Sequence, residues 1–302
     1  MNIIDSVKPA YWALRSSYRL MTNRIRLLPD FIIIGTQRGG TTSLYYYLTE
    51  HPGIIPALDK EIHFFDVRYR QGLRWYRSQF PTSLHKYYAE HIQKHHFITG
   101  ESSPYYMFHP LLPKRLAAVM PQVKLIVLLR NPVDRAYSHY WLVTQEGKEP
   151  LPFTEAIQRE EERLAGEQEK LLTVENYQGL NHRRYSYLAR GVYVDQLKMW
   201  MERFPQEQFL ILKSEDLYEK PAEIVKQTLA FLGVPDSEIH TGNKEFKRKV
   251  YLQYREPGPK GYKNDQKPPK LDPGMRKYLV EYFKPHNARL YEFLGRDFGW
   301  DK

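Results

Sequence analysis

The chain has 302 residues, with 45 Lys and Arg against 35 Asp and Glu, a formal net charge of +10 and a mean hydropathy of −0.63, which is ordinary globular composition and excludes a disordered or fibrous protein. Zero cysteines exclude a disulfide framework, a thiolate metal site and a cysteine nucleophile, and they fit a reducing compartment. No apolar run approaches the roughly 20 residues of a membrane span, and the first residues lack the apolar stretch of a secretory signal.

The surplus charge is local. Residues 1–26 carry +4 and residues 244–270 carry +6, so the rest of the chain balances. Two basic segments on a neutral body point to local anion sites rather than to a nucleic-acid face.

In chain order, Tyr11, Leu14, Tyr18, Met21, Ile25 and Leu28 recur at spacings of three and four, which predicts an amphipathic, basic helix over 10–28. Docking of this helix on the domain is the simpler reading, with peripheral membrane contact through residues 10–28 as the alternative. Phe31-Ile32-Ile33-Ile34 is apolar at every position and reads as a strand covered on both faces, as in a parallel sheet. Similar runs follow at Lys124–Leu129 and Phe209–Leu212, with a weaker one at Phe97–Gly100. Helical patterns separate them at Thr41–Thr49, Pro110–Met120, Pro132–Gln145, Val194–Phe204 and Ala222–Leu232. This alternation predicts βαβ units and a three-layer α/β/α fold around a central parallel sheet. A Glu-rich helical excursion, near 150–185, reads as a solvated surface feature. Residues 255–274 read as a long basic Pro/Gly loop, followed by a helix over Gly274–Leu294 kinked or restarted at Pro285. The division is therefore a basic helix over 1–29 and one domain over 30–302.

Directly after the first strand stands Gly35-Thr36-Gln37-Arg38-Gly39-Gly40-Thr41-Thr42-Ser43, which enters a helix. Strand, Gly-rich turn and helix N-terminus together present amide N–H groups and a positive dipole end to a phosphate. Against the pattern GxxxxGK[ST], Thr41 takes the lysine position and the cation stands mid-loop at Arg38. No Walker-B-like Asp closes a strand to hold Mg²⁺, since KLIVLL runs into Arg130. The loop is therefore P-loop-like but suited to a phosphate donor handled without a metal, and a P-loop kinase is the disfavoured alternative. Arg130 at a strand end and Ser138 two turns into the next helix form a second anion clamp. Two such clamps suit a nucleotide phosphorylated at both 5′ and 3′ positions.

The segments FIIIGTQRGGTTSLYYYL, KEIHFFD, GESSPYY, KLIVLLRNPVDRAYSHY and RGVYVDQLKMWMERFPQEQFLIL, with the ending LDPGMRKYLVEYFKPHNARLYEFLGRDFGW, resemble the sulfotransferase superfamily over about residues 30–300. They are most similar to heparan-sulfate-type carbohydrate sulfotransferases and their bacterial relatives. The resemblance implies sulfuryl transfer from 3′-phosphoadenosine-5′-phosphosulfate (PAPS) to an acceptor hydroxyl without a metal. It implies a phosphosulfate loop made by Arg38, Gly39, Gly40, Thr41, Thr42 and Ser43, with Arg38 where heparan-type enzymes carry lysine. It implies that Arg130 and Ser138 take the 3′-phosphate and that Lys260 and Gly261 belong to a loop closing over the donor, with Tyr262 replacing the family's arginine. Heparan-type enzymes often bracket that loop with a disulfide, which this chain cannot form. Glu61 is the expected base and His63 the runner-up, with Glu61, His63 and Phe65 on one face if the stretch is extended. Lys60 is a candidate sulfonate contact, and Glu101 an acid beside the site. Ser102 stands where relatives often carry a lysine that contacts acceptor or base.

The expected partners are a glycan or other small-molecule acceptor, with no nucleic acid and no integral membrane span. A cytoplasmic enzyme of bacterial type is the expectation, with the lumenal domain of a Golgi enzyme as the alternative, and a non-catalytic polyanion-binding module as the remaining rival function.

Overall fold

The computed structural model describes residues 3–236 and 269–301. Five strands, β1 (Phe31–Gly35), β2 (Ile54–Pro56), β3 (Ile98–Ser102), β4 (Lys124–Leu129) and β5 (Phe209–Lys213), form one parallel sheet in the order β2-β3-β1-β4-β5. The apolar runs of β1 and β4 have the predicted cause. Ile32 and Ile34 of β1, with Leu125, Val127 and Leu129 of β4, enter the core on one sheet face. Phe31, Ile33, Ile126 and Leu128 enter the core on the other. Each strand feeds two cores at once, so no polar position is tolerated.

On the first face the sheet is covered by the helices Leu112–Val119 and Tyr193–Met201 and by the end of Pro273–Leu294, with Leu116, Trp200 and Leu290 buried. On the second face Thr41–Thr49 and Pro221–Leu232 contribute Leu44, Leu48, Val225 and Leu229. The result is the expected three-layer α/β/α arrangement. After β1 the chain builds β2 and β3 on one side and then crosses to β4 and β5 on the other. The C-terminal ends of β1 and β4 therefore flank the place where strand order reverses, the usual ligand crevice of such sheets.

Several expectations need correction. β2 has three residues and was too short to show in the pattern. The N-terminal helix spans Ile3–Met21, not 10–28: the Thr22 hydroxyl bonds the Tyr18 carbonyl at 2.8 Å and Asn23 bonds that of Leu20 at 2.6 Å, after which Asn23–Ile25 is a single tight turn. Its polar anchor on the body is Arg19, whose Nε bonds Ser78 O at 2.6 Å, while Tyr11, Leu14, Tyr18 and Met21 stay exposed. The helix Pro273–Leu294 runs continuously through Pro285.

The Glu-rich excursion consists of four short helices, Phe153–Gln158, Glu160–Leu164, Glu167–Thr173 and Leu180–Arg184, and it is not simply solvated. Glu160 and Glu167 are buried. The Glu160 carboxylate accepts from the backbone N–H of Leu188 and of Ala189, at 2.7 and 2.8 Å, which stops the incoming chain ahead of Arg190. Of the expected long loop over 255–274, residues 255–268 lie outside the described residues. Its end is helical from Pro273, with Asp272 Oδ1 capping Met275 N at 2.9 Å.

Candidate functional site

β1 delivers the loop 36–40 to the crevice, and the loop is fixed from below by backbone contacts. Thr36 N bonds Leu128 O at 2.9 Å, Gly39 N bonds Thr36 O at 2.9 Å, and the Ser214 hydroxyl bonds Gly39 O at 2.7 Å. A Cβ on Gly39 would stand 2.8 Å from Leu128 O, so only glycine lets the loop lie this close to the sheet. Gly40 then enters the helix Thr41–Thr49 with φ +90° and no side-chain cap, leaving the helix N-terminus to a ligand. Of the three hydroxyl residues, Thr41 is buried, Ser43 half-buried and Thr42 exposed.

Arg38, Arg130 and Ser138 come together although they arise from β1, β4 and the helix Pro132–Gln145. Arg38 Nε donates to Ser138 Oγ at 2.9 Å, and Arg130 Nη1 donates to Arg38 O at 3.0 Å. Asn131 caps the helix, its Oδ1 accepting from Val133 N at 3.0 Å, and Tyr193 OH bonds Arg130 O at 2.7 Å. Arg38 thus bonds Ser138 through its guanidinium and receives Arg130 on its carbonyl, which gathers the three residues at the crevice.

The second half of the site is the segment 57–66 after β2, pinned to the end of β3. Ser102 N bonds Lys60 O at 3.0 Å, and His63 N bonds Ser103 Oγ at 3.2 Å. His63 has φ +53°, a left-handed turn, so the stretch is not extended. Glu61 and His63 face the site, while Phe65 is fully buried in the core against Phe64, contrary to the one-face expectation. Lys60 joins the two halves: its ammonium donates to Thr42 Oγ1 at 2.9 Å and contacts Glu61 Oε1.

His63 is clamped between two carboxylates, Nδ1 to Asp66 Oδ2 at 2.6 Å and Nε2 to Glu61 Oε2 at 3.2 Å. Burial alone would lower the imidazole, but the hydrogen bonds and charges of Asp66 and Glu61 outweigh it and push it up to about 9. At neutral pH this favours an imidazolium that donates from both nitrogens. Burial alone would raise Glu61, but the charge of Lys60 and the His63 hydrogen bond hold it down, to about 2. Asp66, with a buried side chain, is lowered because its His63 bond outweighs burial.

Beneath this turn lies Glu101, fully buried. It accepts from Tyr76 OH at 2.6 Å, Ser103 Oγ at 2.7 Å and Tyr106 OH at 3.4 Å. Tyr106 OH in turn accepts from Phe64 N at 2.8 Å and Phe65 N at 3.3 Å. Burial raises the Glu101 carboxyl to about 7 despite these donors. Glu101 is thus a hub holding the backbone of the acidic turn rather than a group that faces the crevice.

Next to Glu61 and His63 a cavity of about 230 Å³ is lined by Gln37, Tyr105, Arg183, Arg184 and Arg190. Arg190 is fully buried, 5.1 Å from the Tyr105 and Phe108 ring centres, and contacts Gln37 of the glycine loop; burial lowers it to about 9. The sequence reading gave no role to Asp66, Gln37 or these arginines. The signal available for Asp66 was its spacing of three from His63, which a turn brings into contact. Lys260, Gly261 and Tyr262 lie outside the described residues.

A glycine loop and two arginines at a helix N-terminus, facing a carboxylate across a bridging lysine, is the layout of an enzyme that handles a phosphate ester next to a proton acceptor. The Sulfotransferase domain family matches residues 28–298. The chain belongs to the sulfotransferase family. It is similar to heparan sulfate glucosamine 3-O-sulfotransferase 6 of Homo sapiens, 31% identical over 91% of this chain and 74% of that protein. It is also similar to the membrane-associated sulfotransferase kil1 of Dictyostelium discoideum, 28% identical over 92% of this chain and 67% of that protein. Among solved structures, a sulfotransferase from Alicyclobacillus acidocaldarius covers 91% of this chain and 100% of its own, at 28% identity and a TM-score of 0.65. This sulfotransferase is an enzyme of the PAPS-dependent class. Among the described residues no group of three or more His, Asp or Glu is placed to hold a metal ion, and no helix is long and apolar enough to cross a membrane.

Proposed function

We propose that this sulfotransferase moves the sulfuryl group of PAPS to a hydroxyl of a carbohydrate acceptor, with Glu61 as the base. The carrying observation is the Lys60 ammonium, which bonds the Thr42 hydroxyl in the first turn of the donor-loop helix and the Glu61 carboxylate at once. The residues present fit the donor: Arg130 and Ser138 would hold its 3′-phosphate, and Arg38, Gly39, Gly40 and the amides of Thr41, Thr42 and Ser43 its 5′ side. The donor supplies an activated sulfuryl group; the chain supplies placement and charge.

Glu61 takes the proton from the acceptor hydroxyl as that oxygen attacks sulfur and the bond to the 5′-phosphate oxygen breaks. Lys60, the helix amides and Arg38 oppose the charge arriving on that oxygen. In the free enzyme Glu61 is a weak base because Lys60 and His63 hold it low. An anion beside Lys60 competes for that ammonium and lets the carboxylate recover basicity, so donor binding arms the base. His63, an imidazolium fixed by Asp66, aims the second Glu61 oxygen. Lys260, Gly261 and Tyr262 enter this reading through the family resemblance alone.

The carbohydrate acceptor is supported by the heparan sulfate enzymes among the relatives and by the cavity beside Glu61 with Arg183, Arg184 and Arg190 on its wall. Calorimetric titration with adenosine 3′,5′-bisphosphate in EDTA tests the donor assignment: micromolar binding without Mg²⁺ is expected. Binding no better than millimolar, or binding that needs Mg²⁺, overturns it. A screen of acceptors with radiolabelled donor tests the second half.

A further inference from the structure

We propose that the face formed by the N-terminal helix Ile3–Met21 and the segment 83–92 docks on a lipid bilayer carrying anionic headgroups. On one side the helix offers Tyr11, Leu14, Tyr18 and Met21 to solvent, with Leu14 72% and Met21 83% exposed. The helix Ser83–Tyr87, continued by a wide turn to Ile92, adds Leu84 at 67%, Tyr87, Tyr88 and Ile92 at 61%. The two pieces are tied together at their base. Arg26 pairs with Thr82 in an antiparallel bridge, Leu27 N bonds Pro81 O at 3.0 Å, and Arg26 Nη1 bonds Phe80 O at 2.8 Å. Exposed aliphatic and aromatic side chains concentrated in this way mark an interaction surface rather than ordinary scatter.

Charge chooses the occupant. Arg19 and Arg26 turn inward onto the body, which leaves Arg15 and Arg24 of residues 11–26, and residues 68–96 hold six Lys and Arg against Glu90 alone, with His85, His91, His95 and His96 beside them. A second copy of this chain would bring the same cations against themselves across an isologous contact. A bilayer accepts apolar side chains below the headgroups, Trp and Tyr at their level and Arg, Lys and His against the phosphates, which is the mixture present here. This inference does not depend on the acceptor or on the donor assignment, because it concerns a face whose side chains take no part in the proposed chemistry.

The test is flotation of the full chain with vesicles of phosphatidylcholine containing about 30% phosphatidylglycerol, against phosphatidylcholine alone, at about 0.1 and about 0.5 M salt. Binding to the anionic vesicles only, weakened at least about tenfold by the higher salt, is expected. The double variant Leu14→Glu, Met21→Glu should lose about tenfold or more in partitioning while its sulfotransferase turnover of soluble substrates and its circular dichroism stay unchanged. No binding to the anionic vesicles overturns the proposal. So does equal, salt-independent binding to both kinds of vesicle, or a dimer in sedimentation velocity that the same double variant abolishes.

Discussion

The two halves of the site are held by opposite means. The donor half, residues 36–43 with Arg130 and Ser138, is secured by the backbone of the sheet: carbonyls of Leu128 and Thr36, a cap at Asn131, and a glycine with no room for a Cβ. The base half, residues 60–66, hangs on side chains, with Glu101 collecting three hydroxyls of which two receive its backbone N–H groups. The donor half should therefore lose binding when damaged, and the base half should lose rate and change its pH dependence while binding persists.

The largest expected effect breaks that contrast at the base. Glu61→Gln should cut kcat by about 10²–10⁴ and leave adenosine bisphosphate affinity within about threefold, measured by single-turnover kinetics and calorimetry; a loss of affinity equal to the loss of rate would erase the distinction. Arg38→Ala should cost about 10²–10³ in kcat/KM, and because the Arg38 guanidinium bonds Ser138 of the proposed 3′-phosphate pair it should also weaken the bisphosphate. Arg130→Ala should weaken adenosine 3′,5′-bisphosphate far more than adenosine 5′-phosphate; equal losses would place Arg130 elsewhere than at the 3′-phosphate.

A third effect is a pH limb. His63 is raised from its usual value to about 9, so its protonated form contributes stability that is fully present below about 6.5 and is lost as pH rises through about 9. kcat/KM should fall over the same alkaline range, and Asp66→Asn, by removing the stronger of the two carboxylate bonds, should move that limb toward neutrality. Smallest is Glu101→Gln. It should lower kcat about tenfold, the scale of one buried hydrogen bond to a charged group, with KM for donor unchanged. A thermal scan checks that the variant stays folded.

How legible all this was from sequence follows the same division. β4, Thr41–Thr49 and Pro132–Gln145 had their boundaries written locally, in a run buried on both faces, a glycine before a hydroxyl-rich turn and an Asn-Pro cap. Bringing Arg38 to Ser138 needed only the adjacency of β1 and β4. The acidic turn was illegible because its shape comes from a left-handed His63 and from Glu101, whose partners lie in the turn after β3 and on the helix Gly72–Ser78. Glu160 misled for the same reason: its sequence neighbours are charged, and its partners Leu188 and Ala189 stand 28 and 29 residues away.

One irregularity in the sheet acts as a ruler. Opposite β4, Ile33 pairs with Ile126 and Gly35 with Val127, so Ile34 is an extra residue in β1. That single residue sets how far the glycine loop projects past the strand from which Arg130 springs. Deleting it would leave every functional group in the chain yet shift one clamp by a strand step against the other and exchange the faces of the residues before it. In the proposed reading, the distance between the two ends of the donor is encoded in the length of a strand.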